Sequence, residues 1–473
     1  MSKNINLLRW SDSMDYQLPI IVALVALLSV LLSPKAKGVN AFFRGESSEG
    51  AQPSLLTLTF SQVTTWIFAR SLMNAAILGF YYGIWGTLAY AAYYLSFFTG
   101  AKIIDHLRFE QGYGSVQEFL SDRFGHWGTR CYNLVIGVRL VSEVFANLLV
   151  IGILFGAAGT GSYTLAVVGL ALITLAYSML GGLHASLRTD LFQMIIFLAV
   201  LGLLLVMALS SGGITAEIFA FKPFDITEPG PVLLLVALLQ VWSYPMHDPV
   251  MMDRGFLADR ETTRKSFLHA GWISIVCTTV FGLLGVMAGA SALEGENMNQ
   301  ALTRILGELP MLLFSASLVI SAMSTLDSTL SSSAKLMVVD MKIMQPSLAN
   351  GRMVMALFML SGVLCVFWGN KDLFSAVAVS GTASMYLAPV IFFSLWQNKK
   401  EIPVWSYLAS FTLALAGAAL YFTESSGYSA LLGDAHKYTK LLLISATVMV
   451  VGCALFWLGD KQSQKANDGL VAD

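Results

Sequence analysis

Hydroxyl side chains recur at helical spacing inside one of the most apolar parts of the chain. Ser317, Ser321, Ser324 and Ser328 share one face of a helix predicted over 311–339, with Thr325 beside them. Hydroxyl and carbonyl oxygens suit a hard cation such as sodium. Small hydroxyl residues also favour close approach of membrane helices, so spacing alone leaves both readings open. Asp327 in the same stretch tips the balance, because a carboxylate inside an apolar span is costly and usually functional. Asp190 follows Arg188 and Thr189 at the inner end of another apolar stretch. By itself it reads as an interfacial anion or a partner of Arg188.

A second set of residues suits an organic solute. Arg139, Glu143 and Asn147 share a helical face at i, i+4 and i+8. They form either an internal Arg–Glu pair that neutralises itself or, with Arg70, a guanidinium site for a substrate carboxylate. Arg70, Ser71 and Asn74 follow the polar run Ser61-Gln62-Val63-Thr64-Thr65 in one span. Another span holds Gln240 and then Ser243-Tyr244-Pro245-Met246-His247-Asp248-Pro249, whose two prolines break a helix. Irregular backbone at membrane depth survives only where it lines a cavity or is buried in protein. Trp66, Trp242 and Tyr244 flank or fall within these interruptions and complete the candidate substrate set.

The elements that must position these groups are membrane helices. The chain has 473 residues, of which 56% are hydrophobic and 12% charged, with a formal net charge of −1. A soluble domain carries about 25% charged residues, disorder needs far less apolar content, and nucleic-acid binding needs a basic stripe. Cys131, Cys277, Cys365 and Cys453 are far apart and form no metal or disulfide pattern. No G-x-S-x-G, H-E-x-x-H or phosphate-binding glycine loop is present, so the chain carries no visible enzyme kit. About thirteen apolar spans of suitable length can be marked: 17–33, 55–80, 82–103, 129–157, 161–180, 187–210, 231–249, 268–292, 311–339, 352–368, 373–395, 403–422 and 438–458.

The first span is retained rather than cleaved as a signal peptide: Asp12 and Asp15 accompany Lys3 and Arg9 before it, and Lys35, Lys37 and Arg44 follow it. With the N-terminus outside, roughly nineteen Lys and Arg fall on the inside against seven outside, the latter including Lys3, Arg9 and Lys371. The C-terminus is then cytoplasmic. The outside loops near 211–230 and 292–310 are expected to hold short surface helices.

The two interrupted spans each open a set of five, 55–210 and 231–395. An odd number per set inverts the second against the first, the pattern of an inverted-repeat transporter. The helix at 17–33, two at 403–458 and a cytoplasmic tail at 459–473 are additions to a single transporter domain.

The motifs resemble the sodium:solute symporter family. Gly181-Gly182-Leu183-His184-Ala185-Ser186-Leu187-Arg188-Thr189-Asp190-Leu191-Phe192-Gln193 is similar to its G-G-x-x-A-x-x-x-T-D-x-x-Q signature. Met323-Ser324-Thr325-Leu326-Asp327-Ser328 is similar to its S-T-x-D-S pattern, and Glu118-Phe119-Leu120 with Arg123-Phe124-Gly125 to a third, weaker segment. Order and spacing agree over essentially the whole chain. The resemblance implies an all-α, leucine-transporter-like fold and a sodium site made by the carbonyls of Thr64, Ile67 and Ser321 and the hydroxyls of Ser324 and Thr325. It implies a second sodium site at Asp190, Ser324, Asp327 and Ser328. Trp66 departs from the small or acidic residue common there, Arg70 is unusual, and Tyr244–Pro249 does not match the family's sugar or proline carriers.

The expectation is a sodium-coupled symporter of the bacterial inner membrane that imports a small organic solute, carboxylate or amino acid-like, by alternating access. Its partners are the solute, sodium ions and the bilayer, with no nucleic acid. A solute-sensing receptor on the same scaffold and a proton-coupled carrier stand as alternatives.

Overall fold

The computed structural model describes residues 17–46, 52–210, 216–368 and 373–472. Lys3, Arg9, Asp12, Asp15 and Lys371, used above for orientation, lie outside the described residues.

Every regular element among the described residues is a helix. In order the helices are α1 (Gln17–Leu32), α2 (Val39–Arg44), α3 (Leu55–Trp66), α4 (Ala69–Ala92), α5 (Ser96–Ile104), α6 (Val116–Phe155), α7 (Gly161–Ser210), α8 (Pro229–Gln240) and α9 (Pro249–Gly255). They continue with α10 (Arg260–Ser291), α11 (Met298–Leu306), α12 (Glu308–Lys335), α13 (Leu348–Trp368), α14 (Leu373–Ser384), α15 (Leu387–Pro389), α16 (Val404–Ser425) and α17 (Lys437–Ala472). Among the described residues, 8 helical runs are long and apolar enough to cross a bilayer, or 9 if the pair Ala378–Ser384 and Leu387–Trp396, bent by 41°, is one span. The lower count than expected has two causes. α4 and α7 each run through a glycine with positive φ, Gly83 and Gly182, where the expected span boundaries fall. α1 and α8 are apolar but short.

The fold divides into two compact units. The first comprises Met1–Ala91, Leu140–Pro223 and Trp272–Lys371, and the second Ala92–Arg139, Phe224–Gly271 and Asp372–Asp473. In the first unit α12 is the central element. It packs chiefly against α7, and 89% of its most apolar window is buried. Its serines and threonines therefore face protein, not lipid, and a polar stripe on so apolar a helix is tolerated for that reason. Glycine lets neighbouring helices approach: a Cβ added at Gly285 of α10 would lie 1.9 Å from the carbonyl oxygen of Ala76 on α4. In the second unit Val135, Ala383 and Ala418 form a small apolar core, and Phe124 stacks on Tyr407 at 4.5 Å.

Gly182 shows why the double glycine at 181–182 is needed. Its φ is 54°, and a Cβ would sit 2.4 Å from the Phe42 carbonyl oxygen. Left-handed backbone with a side chain costs about 1–3 kcal/mol, and the clash adds to it. Gly182→Ala is expected to yield little monodisperse protein on size-exclusion chromatography in detergent, where wild type gives a sharp peak.

Both expected loop helices are present. Ala216–Phe219 is a 3₁₀ turn, and α11 starts at a capping box of Asn297 and Gln300. Arg304 on α11 reaches back to Glu296 at 2.9 Å, and its hydrogen bond holds the Glu296 carboxyl down at about 2. A depressed carboxyl stabilises the fold at pH above its ordinary value of about 4.5 and loses that contribution as pH falls toward 2. Arg304→Ala is expected to return Glu296 toward its ordinary value, read from the titration of carboxyl-labelled glutamate by NMR.

Candidate functional site

The site grows from the interruption between α3 and α4. α3 ends at Trp66, Ile67 leaves helical geometry with φ −79° and ψ 71°, and α4 begins at Ala69. A helix end frees carbonyl oxygens from their usual partners. Two of these turn to α12: the Thr64 carbonyl accepts from Thr325 Oγ1 at 3.1 Å, and the Ile67 carbonyl accepts from Ser321 Oγ. Thr325 also donates to the Ser321 carbonyl at 2.9 Å. A small cavity opens at this point, lined by Thr64, Ile67, Ser321 and Ser324 together with Gln193 and Phe197. It has room for about one water-sized body. Four of the five oxygen-bearing residues expected around sodium therefore line one cavity, and the fifth, Thr325, bonds to two of them. Each of the five residues offers a carbonyl or hydroxyl oxygen, a ligand type that suits a hard cation.

Next to this cavity α7 and α12 share a buried carboxylate network. Asp190 and Asp327 are 0% and 1% exposed. Asp190 accepts from Ser61 at 2.6 Å, Ser324 at 2.6 Å and Ser328 at 3.3 Å. Asp327 accepts from Thr189 at 2.8 Å and Ser186 at 3.0 Å. Ser186 also lies 2.9 Å from Ser328 and 3.4 Å from Asp190; its single proton serves one of them at a time. Ser324 thus lines the cavity and bonds to the carboxylate pair, linking the two. Asp190 is not an isolated interfacial anion, and Arg188 is not its partner in any of these bonds.

Solved structures that match this chain include two that identify the fold. One is the substrate-bound outward-open state of a Na⁺-coupled sialic acid symporter: TM-score 0.69, 15% identity, 94% of this chain and 98% of that chain covered. The other is Mhp1, a nucleobase-cation-symport-1 family transporter, in a closed conformation with bromovinylhydantoin bound: TM-score 0.51, 15% identity, 91% and 96% covered. The chain has the leucine-transporter-like fold. No family model matches the sequence. No curated protein sequence matches it either. The chain is a multi-pass membrane protein.

Within this leucine-transporter-like chain the substrate candidates fall in both units. In the first, Arg70 Nη2 donates to Glu143 Oε1 at 3.2 Å, with both side chains 2% exposed. Ser71 is buried and accepts from the Tyr90 hydroxyl at 3.2 Å, and Trp66 is buried at the end of α3. In the second, Arg139 Nη2 donates to Asp248 Oδ2 at 2.6 Å. Arg139 Nη1 donates to the Tyr244 hydroxyl at 2.8 Å, and its guanidinium lies 4.8 Å from the Tyr244 ring centre. Besides any contact along their shared helical face, Glu143 pairs with Arg70 on α4 and Arg139 pairs with Asp248 at the α8–α9 break. Trp242 stands apart, 40% exposed, with its ring against Phe392 and Trp396 at 5.9 and 6.2 Å.

Sequence reasoning missed Asp248 as a site residue. Its side chain accepts from the Met251 amide at 3.0 Å and caps α9, where Pro249 takes the first turn. Asp directly before Pro is a helix-start signal, and it was readable. It also missed Ser186, whose bonds to α12 no local pattern announces.

Proposed function

We propose that this chain is a sodium-coupled symporter of the cell's inner membrane, importing a small organic solute by alternating access. The observation that carries the reading is the meeting of the broken α3–α4 backbone with α12. Sodium, taken up by the oxygens of Thr64, Ile67, Ser321, Ser324 and Thr325, ties the unwound segment to α12. Solute affinity then depends on sodium, and by linkage sodium affinity depends equally on solute. Membrane potential contributes about 2.3 kcal/mol per charge per 100 mV to the driving force. Asp190, Asp327, Ser324 and Ser328 form a second cation site in this proposal, where a positive ion offsets buried carboxylate charge. Trp66, Arg70, Ser71, Glu143, Arg139, Tyr244 and Trp242 are the solute candidates. The N-terminus lies outside and the C-terminus in the cytoplasm, as the Lys and Arg bias requires.

The test is uptake of labelled solutes into proteoliposomes holding purified protein, with an inward sodium gradient, a pH gradient or neither. Sodium-driven accumulation supports the reading. Accumulation driven by the pH gradient alone identifies a proton-coupled carrier, and solute binding without transport identifies a sensor. In the second site, Asp190→Asn is expected to weaken sodium binding about tenfold or more, read as a smaller sodium-dependent rise in melting temperature.

A further inference from the structure

Both arginines that the sequence places inside apolar spans are matched in charge within their own unit. Arg70 is bonded to Glu143 at 3.2 Å and Arg139 to Asp248 at 2.6 Å, and all four side chains are 2% exposed. A net anion drawn to either guanidinium must displace or confront a buried carboxylate, and an uncompensated buried charge is strongly unfavourable.

The Arg70 pair nevertheless keeps unused hydrogen-bonding capacity. Asn74 lies one turn beyond Arg70 on α4, and Asn147 one turn beyond Glu143 on α6, so each helix presents an i, i+4 polar pair. The two faces are joined by the Arg70–Glu143 bond. Asn74 and Asn147 are buried. Among the described residues, Arg70 Nε, Asn74 Nδ2 and Asn147 Oδ1 have no hydrogen-bond partner. Two N–H donors and one carbonyl acceptor are thus buried without partners around a neutral ion pair. Buried polar atoms left unmatched are costly, and in native proteins they call for a ligand, water or ion.

We infer that the solute is a small polar molecule of zero net charge that both donates and accepts hydrogen bonds at this face. A zwitterion satisfies it by placing opposite charges against Arg70 and Glu143, and a polyhydroxylated neutral molecule by placing hydroxyls there. This inference rests on the symport reading and narrows the carboxylate or amino acid-like expectation: a free carboxylate anion is excluded, an amino acid is not.

The experiment uses proteoliposomes with an inward sodium gradient and six labelled probes: glucose, myo-inositol, proline, serine, lactate and succinate. Sodium-driven uptake confined to the first four supports the inference. Sodium-driven uptake of lactate or succinate alone overturns it and leaves symport standing. Uptake confined to net-neutral probes but indifferent to sodium overturns symport and keeps the charge class. Uptake of none of the six overturns both. A variant pair reads the mechanism. Glu143→Gln leaves Arg70 unbalanced and is expected to shift the preference between neutral and anionic probes by about tenfold or more toward anions. Arg70→Gln with Glu143→Gln restores neutrality, so the shift toward anions is expected to disappear, while uptake of proline and serine, which use both charges, falls. Should the single variant fail to fold, the double variant carries the test: gain of anion uptake there contradicts the inference.

Discussion

Ser324→Ala combined with Thr325→Ala is expected to abolish the sodium dependence of both solute uptake and thermal stability. The two hydroxyls sit where the broken α3–α4 segment meets α12, Ser324 on the cavity wall and Thr325 bonded to the Thr64 carbonyl. A hydrogen-bonding group facing a charge contributes about 1.5–3 kcal/mol, so losing two weakens sodium about a hundredfold or more. Ser324 has a second function, since its hydroxyl donates to Asp190 at 2.6 Å. Its loss loosens the carboxylate network as well as the cavity. The measurement is melting temperature in detergent across a sodium series, with potassium as the control. Wild type rises with sodium and the double variant stays flat. Thr325→Ser keeps the hydroxyl and is expected to retain most of the sodium response, which separates ligand loss from general damage. A double variant that still rises with sodium as wild type does refutes the assignment.

What was legible in the sequence was local. The hydroxyl stripe of α12 repeats at helical spacing, so its burial on one helix is readable from residue types. The break at Ile67 and the Pro245–Pro249 interruption follow from polar and proline content in apolar spans. Partner choice was not legible. Arg139 and Glu143 share a helical face, and each also pairs with a charge far away in sequence, Asp248 and Arg70. Helix spacing reports which residues share a face and says nothing of what faces them. The same limit applies to Trp242, which pattern placed beside an interruption and tertiary packing placed in an aromatic group with Trp396. Asp190 at a span edge looks interfacial by itself; the motif resemblance groups it with Ser324, and the fold adds Ser61.

Asp248→Ala is expected to cost the protein most of its stability, because one side chain holds two unrelated structures together. Its Oδ2 balances Arg139 at 2.6 Å with both groups out of solvent, and its Oδ1 caps α9 through the Met251 amide at 3.0 Å. Removing one partner of a buried pair costs about 3–5 kcal/mol, and losing a cap adds about 1 kcal/mol. Together these approach the lower end of the 5–15 kcal/mol that an ordinary domain has in total. The two contributions can be separated. Asp248→Asn keeps an oxygen for the cap and removes only the charge, so it is expected to recover the smaller part. Arg139→Met with Asp248→Asn removes the unbalanced charge as well, and replacing a buried pair by neutral groups is often close to neutral in stability. The expected order of melting temperatures is therefore wild type and the double variant highest, Asp248→Asn below them, and Asp248→Ala lowest. A double variant no more stable than Asp248→Asn shows that Arg139 is held by Tyr244 and Ser380 rather than by charge, since its Nη1 also reaches those two hydroxyls at 2.8 and 3.4 Å. In that case the ion pair serves to position the break between α8 and α9, and its cost appears in solute affinity instead of stability.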